Sequence, residues 1–413
     1  MRILHTADWH LADRLGRIDR TEDLRRAVER IAELCTATEA DVLVIAGDLF
    51  SDRARPEALQ ETMRHLNESF RPFLTAGGAI VAITGNHDNE IFCRTLQEAF
   101  RLASPGRTRP GDVLASGRLH LATGPTHFRL ADRQGQQVQF VCLPYPTGQR
   151  YLDESRQNFT GADERHRALR DALEERLLQM QQQLDPHLPS VLTAHLCVAG
   201  TAVRGLFRLS EQEDVMFTEQ SLATGWSYVA LGHIHQPQEV ARLPHVRYAG
   251  SIERLDQGER EDQKSVVLVE IGPTGMVGQP ELLPLEATPF YDVVITDPQS
   301  ELPQLPDRYP KADIALTRID VTYRTGEDNI LEIRKTLDRL FPRWYARSDR
   351  AFQPADSAAS VTTVEHTDLS RPGEIIRRYL EQTLPDNDPD RQDLLALADE
   401  LLHGSQVGAS FQE

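Results

Sequence analysis

A chain of 413 residues that is 40% hydrophobic and 26% charged is too long for one small core and too apolar for a disordered polymer, so two or three folded units are expected. No window approaches about eighteen uninterrupted apolar residues, which excludes a membrane-spanning helix, and Met1-Arg-Ile-Leu-His runs into strand-like sequence without the features of a secretory leader, so a cytoplasmic location is expected. The formal charge of −18, from 45 Lys and Arg against 63 Asp and Glu, argues against nucleic acid as a partner unless the basic residues are clustered.

In chain order, short runs rich in Val, Ile and Leu predict buried strands at Arg2–Thr6, Asp41–Ala46, Ala79–Thr84, Val191–Ala194 and Tyr228–Leu231. Between the first two, Leu24, Ala27, Val28, Ile31 and Leu34 recur at helical spacing with charges on the other face, and a longer helix is expected over Ala162–Leu184. Val246–Ala249 and Ser265–Ile271 read as further strands, giving an α/β domain over 1–284. Pro284 and Pro289 mark its end. A small mixed domain over 285–350 comes next, with strands at Phe290–Ile295 and Ile314–Tyr323 and a helix over Asn329–Leu340 that puts Ile330, Ile333, Leu337 and Leu340 on one face. Residues 351–370 read as linker, 371–404 as two short amphipathic helices (about Glu374–Leu384 and Arg391–Leu402), and 405–413 as a tail. Cys35, Cys93, Cys142 and Cys197 form no C-x-x-C pair and are expected to be buried small hydrophobes, not a disulfide framework or a thiolate zinc site.

Charge is polarised along this chain. From Glu381 to Glu413 eight acids face one base, Arg391, whereas between Ile333 and Arg350 the bases Arg334, Lys335, Arg339, Arg343, Arg347 and Arg350 face only Asp338 and Asp349. The second stretch also holds Trp344 and Tyr345, and arginine beside aromatics suits a nucleic acid backbone, although a solvated helix face with a few core aromatics would read the same way.

The chemistry lies just beyond each strand. Asp8-Trp9-His10 comes after the first, Gly47-Asp48 after the second, Gly85-Asn86-His87-Asp88 after the third, His195 after the fourth and Gly232-His233-Ile234-His235 after the fifth. Singly these are ordinary: a D-x-H triplet usually binds nothing, Gly-Asp is a common turn, and a lone histidine is usually a satisfied core residue. Jointly they place Asp, Asn and His at successive strand ends, where ligands gather in open α/β sheets. Imidazole and carboxylate without thiolate suit manganese, iron or zinc.

These motifs in this order, in the fuller wording Asp8-Trp-His-Leu, Gly47-Asp-Leu-Phe, Gly85-Asn-His-Asp, Gly232-His-Ile-His and Tyr248-Ala-Gly-Ser, resemble the signature of the calcineurin-like metallophosphoesterases, and among them bacterial nuclease subunits that work with a coiled-coil ATPase. The resemblance covers roughly residues 1–270 and departs from the family at Ser51-Asp52, where Asp or His is usual. It implies an α/β four-layer sandwich of mixed β-sheets flanked by helices, a small α+β capping domain and a C-terminal helical segment that docks on the ATPase. It implies two divalent metal ions, manganese being expected: one held by Asp8, His10, Asp48 and His235, the other by Asp48, Asn86, His195 and His233, with Asp48 bridging. His87 would face the scissile phosphate, and Asp88 would hold its ring as a triad carboxylate does or, alternatively, cap the turn.

The expected activity is therefore a metal-dependent DNA phosphodiesterase, a 3′→5′ exonuclease on duplex ends and an endonuclease on single strands and hairpins, in repair, recombination or replication. A homodimer with the ATPase bound is the expected assembly, and the capping stretch with Arg334, Lys335, Arg339, Arg343 and Arg347 is the candidate DNA contact. There is no G-x-x-x-x-G-K-[ST] loop, so ATP hydrolysis is assigned to the partner. Two other readings keep every ligand. A phosphoesterase for a cyclic nucleotide or other small phosphoester leaves the residues beyond 284 without a use, and a non-catalytic scaffold of this fold would have no need of His87.

Overall fold

The longer elements run β1 (Arg2–Thr6), α1 (Thr21–Ala37), β2 (Val42–Ala46), α2 (Pro56–Thr75), β3 (Ala79–Ile83), α3 (Glu90–Leu102), β4 (Leu119–Ala122), β5 (Thr126–Ala131) and β6 (Gln137–Leu143). They continue with α4 (Ala162–Gln182), β7 (Ser190–His195), β8 (Tyr228–Gly232), β9 (Gln238–Val240), β10 (Leu243–Tyr248), β11 (Ser265–Gly272), β12 (Gly275–Pro284), β13 (Phe290–Ile295), β14 (Leu316–Tyr323), α5 (Ile330–Leu340) and β15 (Trp344–Ala351). The structure is a computed structural model described over residues 1–102, 111–152, 159, 161–202 and 216–352. The expected C-terminal helices and tail, and the linker from 353 onward, lie outside the described residues. No described helix is long and apolar enough to cross a membrane.

Two six-stranded mixed sheets carry the architecture, ordered β12-β11-β1-β2-β3-β4 and β9-β10-β8-β7-β6-β5. β1, β2, β3 and β4 run parallel in the first, and β6, β7, β8 and β10 in the second, with antiparallel strands at the edges. The strands read as near-continuous apolar runs because both faces are covered. Ile3, Val42, Val44, Val81 and Ile83 of one sheet interleave with Val138, Phe140, Val191, Tyr228 and Ala230 of the other. On the outer face of the first sheet, Leu4, Leu43, Ile45 and Ile80 meet the apolar stripe of α1, where Leu24, Val28 and Ile31 are all but fully buried. On the outer face of the second, Leu192, Ala194 and Val229 meet Leu169, Leu173, Leu177 and Met180 of α4. This is the four-layer sandwich.

A third, parallel sheet of β13, β14 and β15 is covered by α5 around Val293, Ile295, Ile319, Val321, Ile333, Leu337 and Phe341. Asn329 caps α5, its Oδ1 accepting from the N–H groups of Leu331 (3.1 Å) and Glu332 (3.4 Å). Residues Met1–Phe352 form one compact unit. The basic stretch is not one helix face: it is the end of α5, a turn, and β15, whose Trp-Tyr-Ala-Arg-Ser-Asp-Arg-Ala carries no apolar run because it is an edge strand, half-buried over most of its length. All four cysteines are free and buried, as expected.

Candidate metal centre

The carboxyl ends of the parallel strands converge on one edge of the sandwich. β1 delivers Asp8 and His10, β2 Asp48, and β3 Asn86 and His87; β7 ends on His195, and β8 leads into His233 and His235. Backbone hydrogen bonds fix the loops to one another. Trp9 and His10 N–H donate to the Asp48 carbonyl (2.8 and 2.9 Å) and Asp8 N–H to that of Gly47 (3.1 Å). The Asp48 Oδ1 accepts from His87 N–H (2.8 Å), and the Asp8 Oδ1 from His233 N–H (2.9 Å). Asp8, His10, Asp48 and His233 adopt positive φ of 52°, 45°, 51° and 97°. Such left-handed backbone at non-glycine residues is tolerated best by Asp, Asn and His and concentrates at functional sites. Gly47 has φ of 97° and Gly85 an ordinary φ, but a Cβ at the first would collide with the His195 ring and at the second with the Asp48 carboxylate.

Three sets of side chains place potential ligand atoms within 4.8 Å of one another: Asp8, His10 and His235; Asp8, Asp48 and His195; and His10, Asp48 and His87. Asp48 Oδ2 lies 3.3 Å from His195 Nε2 and 3.6 Å from His10 Nε2. Asn86 Oδ1 lies 2.9 Å from His195 Nε2 and 3.2 Å from His233 Nδ1, so the amide oxygen stands between the two imidazoles. The other ring nitrogens are held from behind: His195 Nδ1 is 2.8 Å from the Ala46 carbonyl, and His235 Nδ1 2.8 Å from Glu259 Oε1. His87 sits beside this group, its ring 4.9 Å from that of His10 and its Nδ1 4.0 Å from Asp52 Oδ1.

The electrostatics fit a cation. Asp8 and Asp48 are essentially solvent-free, and two buried carboxylates this close are costly without positive charge. Burial raises the Asp8 carboxyl above its ordinary value against the pull of His195 and His235. At Asp48 burial works upward too, but His195, His10 and His87 hold the carboxyl well below the ordinary range. Burial pushes His10 down to about 3, keeping it a neutral donor, whereas at His195 the attraction of Asp48 and Asp8 overcomes burial and raises the ring to about 9. Oxygen and imidazole donors around shared carboxylates form a donor set that divalent metals of the manganese, iron or zinc type accept.

Asp88 is committed to the backbone. Its Oδ2 accepts from Gly85 N–H (2.8 Å) and Leu49 N–H (3.2 Å) and its Oδ1 from Phe50 N–H (2.9 Å), so it ties the third motif to the second. Burial and the charge of Asp48 push its carboxyl up to about 7 despite these donors.

Sequence reading gave no role to Glu259 or Lys264, which lie behind His235, nor to Ser251; the Tyr248-Ala-Gly-Ser motif is the signal that pointed toward them. Ser251 faces Glu259, and the Tyr248 hydroxyl donates to the Leu196 carbonyl and accepts from Val198 N–H, steadying the chain beyond His195.

The candidate DNA-contact residues are placed on the small sheet and its helix, and most have acidic partners within the chain. Arg334 pairs with Asp349 (2.7 Å), Lys335 with Glu332 (2.8 Å), and Arg347 with Asp338 (2.8 Å) while lying over the Trp344 ring. Arg343 reaches Asp23 at the start of α1, and Arg339 is exposed.

Residues 1–237 match the family model of the calcineurin-like phosphoesterases, and the chain belongs to that family. Within it, the chain is similar to the SbcD subunit of the nuclease SbcCD. The SbcD subunit of Bacillus subtilis (strain 168) is 30% identical over 280 residues, 66% of this chain and 67% of the relative. That of Rhodobacter capsulatus is 28% identical over 405 residues, 94% of this chain and 93% of the relative. Among solved structures, a dimetal phosphatase from Danio rerio aligns over 69% of this chain and 99% of its own at 11% identity and a TM-score of 0.39.

Proposed function

We propose that the chain is the metal-dependent nuclease subunit of an SbcCD-type complex, a 3′→5′ exonuclease on duplex DNA ends and an endonuclease on single strands and hairpins. The chemistry rests on one observation, the convergence of overlapping donor sets on Asp48 at the strand ends. DNA as the substrate rests on similarity to the SbcD subunit of the nuclease SbcCD over most of both chains.

Asp8, His10, Asp48 and His235 would hold one divalent ion, and Asp48, Asn86, His195 and His233 the other, with manganese the metal proposed. Bound there, the pair would activate water and neutralise charge on the phosphate. The protein's own part is to hold imidazoles and an amide oxygen in place beside two carboxylates, so that donor positions are fixed without excess negative charge toward a phosphodiester. His87, half-buried at the rim, is positioned to face the scissile phosphate and to stabilise or protonate the leaving oxygen, with the Asp52 carboxylate 4.0 Å from its Nδ1. Asp88 acts through the loop that carries His87.

The proposed assembly is a homodimer with an SbcC-type coiled-coil ATPase docked on residues 371–404, in the cytoplasm, serving DNA repair, recombination or replication. DNA would approach across the small domain, where Arg339 and Lys335 of α5 are exposed. His87→Ala tests the catalytic assignment: cleavage falls by about 10²-fold or more while manganese binding stays at the wild-type level. Retained cleavage in that variant would remove His87 from the chemistry.

A further inference from the structure

A heavily bonded buried charge outside the ligand set stands directly behind one ligand. Glu259 is fully buried, and its Oε1 lies 2.8 Å from His235 Nδ1. Its Oε2 accepts from Lys264 Nζ (2.7 Å) and Leu255 N–H (3.2 Å) and lies 3.0 Å from Ser251 Oγ. Both oxygens are engaged, so the carboxylate cannot swing away. Lys264, 1% exposed, also donates to the His235 carbonyl (3.0 Å) and Ser251 Oγ (2.8 Å), gripping the carboxylate and the ligand's own backbone together.

We infer that Glu259 is a positioning residue that fixes the tautomer and ring orientation of His235, so that Nε2 faces Asp8 and His10. This rests on the two-metal reading. A carboxylate at Nδ1 keeps the proton on that nitrogen and leaves the Nε2 lone pair for a metal. The corresponding ligand of the other set, His195, is backed by the neutral Ala46 carbonyl. The two donor sets therefore differ in kind: one has a charged support, the other a peptide carbonyl. A buried ion pair alone is weak support for a functional role, and the neighbouring Glu253 shows the difference. It is as buried, accepts from Thr288 N–H and Oγ1 (2.6 Å at the hydroxyl) and lies 3.6 Å from Arg20, and none of these partners is a proposed metal ligand.

The test is Mn²⁺ titration of the full chain, following free Mn²⁺ by electron paramagnetic resonance. Wild type binds two ions. Glu259→Gln weakens one by about 10-fold to 100-fold and leaves the other unchanged, because outer partners of a ligand contribute on that scale. Glu253→Gln leaves both unchanged. In a His235→Ala background, Glu259→Gln has no further effect, since the two act as one unit. Unchanged binding in Glu259→Gln, equal weakening of both ions, or an additive loss on His235→Ala would overturn the inference while the two-metal reading stands. No Mn²⁺ binding by wild type would overturn both. If Glu259→Gln does not fold, the long-range proton–nitrogen spectrum of wild type loaded with Zn²⁺ decides: a proton on His235 Nδ1 is expected, and one on Nε2 overturns it.

Discussion

Asp48 is the residue on which most of the geometry depends. Its side chain faces His10 and His195, its Oδ1 accepts from His87 N–H, and its carbonyl takes two N–H donors from the first motif. Asp48→Ala is expected to abolish binding of both Mn²⁺ ions and to take cleavage to background; a variant that still binds one ion with wild-type affinity would show that the carboxylate does not bridge. Asp88 makes the opposite prediction. Three buried N–H donors converge on it, and orphaning them costs about 1–3 kcal/mol each. Asp88→Ala should therefore lower the denaturation midpoint sharply and lose activity together with stability. Loss of turnover at unchanged stability would instead restore the ring-holding role that the family resemblance suggests.

At the scale of elements, the site depends on how closely the strand ends approach. Gly47 combines a φ of 97° with no room for a Cβ beside His195, so Gly47→Ala is expected to shift His195, weaken Mn²⁺ binding and lower the thermal midpoint; wild-type binding in this variant would mean that the loop can relax without cost to the site. The central strands were legible in the sequence because burial on both faces makes them uniform apolar runs, and the Asp and His residues that end them stood out against that background. β5, β12 and β15 were not, since edge strands alternate or carry charge, and β6 was not singled out. The alternative of a solvated helix face for the basic stretch holds only for the end of α5; beyond it, β15 needs only half-burial, so Arg and Asp fit it. Glu259 was missed because its role depends on a contact with His235 made 24 residues away in the chain; the Tyr248-Ala-Gly-Ser motif pointed to the segment and not to that residue.

The whole molecule joins its sandwich to the small sheet through charge. Arg343, next to β15, pairs with Asp23 at the start of α1, which also binds Arg20, while Arg17 donates to the Trp344 carbonyl with its guanidinium 3.7 Å from the centre of that ring. Burial works upward on the Asp23 carboxyl, but Arg343 and Arg20 outweigh it and hold it below its ordinary 3.8. A depressed folded value means that the stabilisation is present above about pH 3.8 and is lost as pH falls below it. Arg343→Met should lower stability at neutral pH by on the order of 2–3 kcal/mol, less than for a fully buried pair because Arg343 is partly exposed, and should flatten the acid limb of the stability curve below that pH. An unchanged acid limb in chemical denaturation would show that the contact does not hold the two parts together. The turn at Gln257–Glu259 spans the same junction, with Gln257 Nε2 2.6 Å from the Asp292 carboxylate of β13 and Glu259 on His235, so the small sheet and the metal centre share a support.

The most direct test of the nuclease assignment is manganese-dependent cleavage of end-labelled linear duplex and hairpin DNA by the purified full chain, alone and with an SbcC-type ATPase, with Asp48→Ala alongside. Cleavage that requires manganese and vanishes in the variant is the predicted result. Intact DNA under both conditions, with a small aryl phosphodiester hydrolysed by wild type and not by the variant, would keep the metal centre and contradict DNA as the substrate.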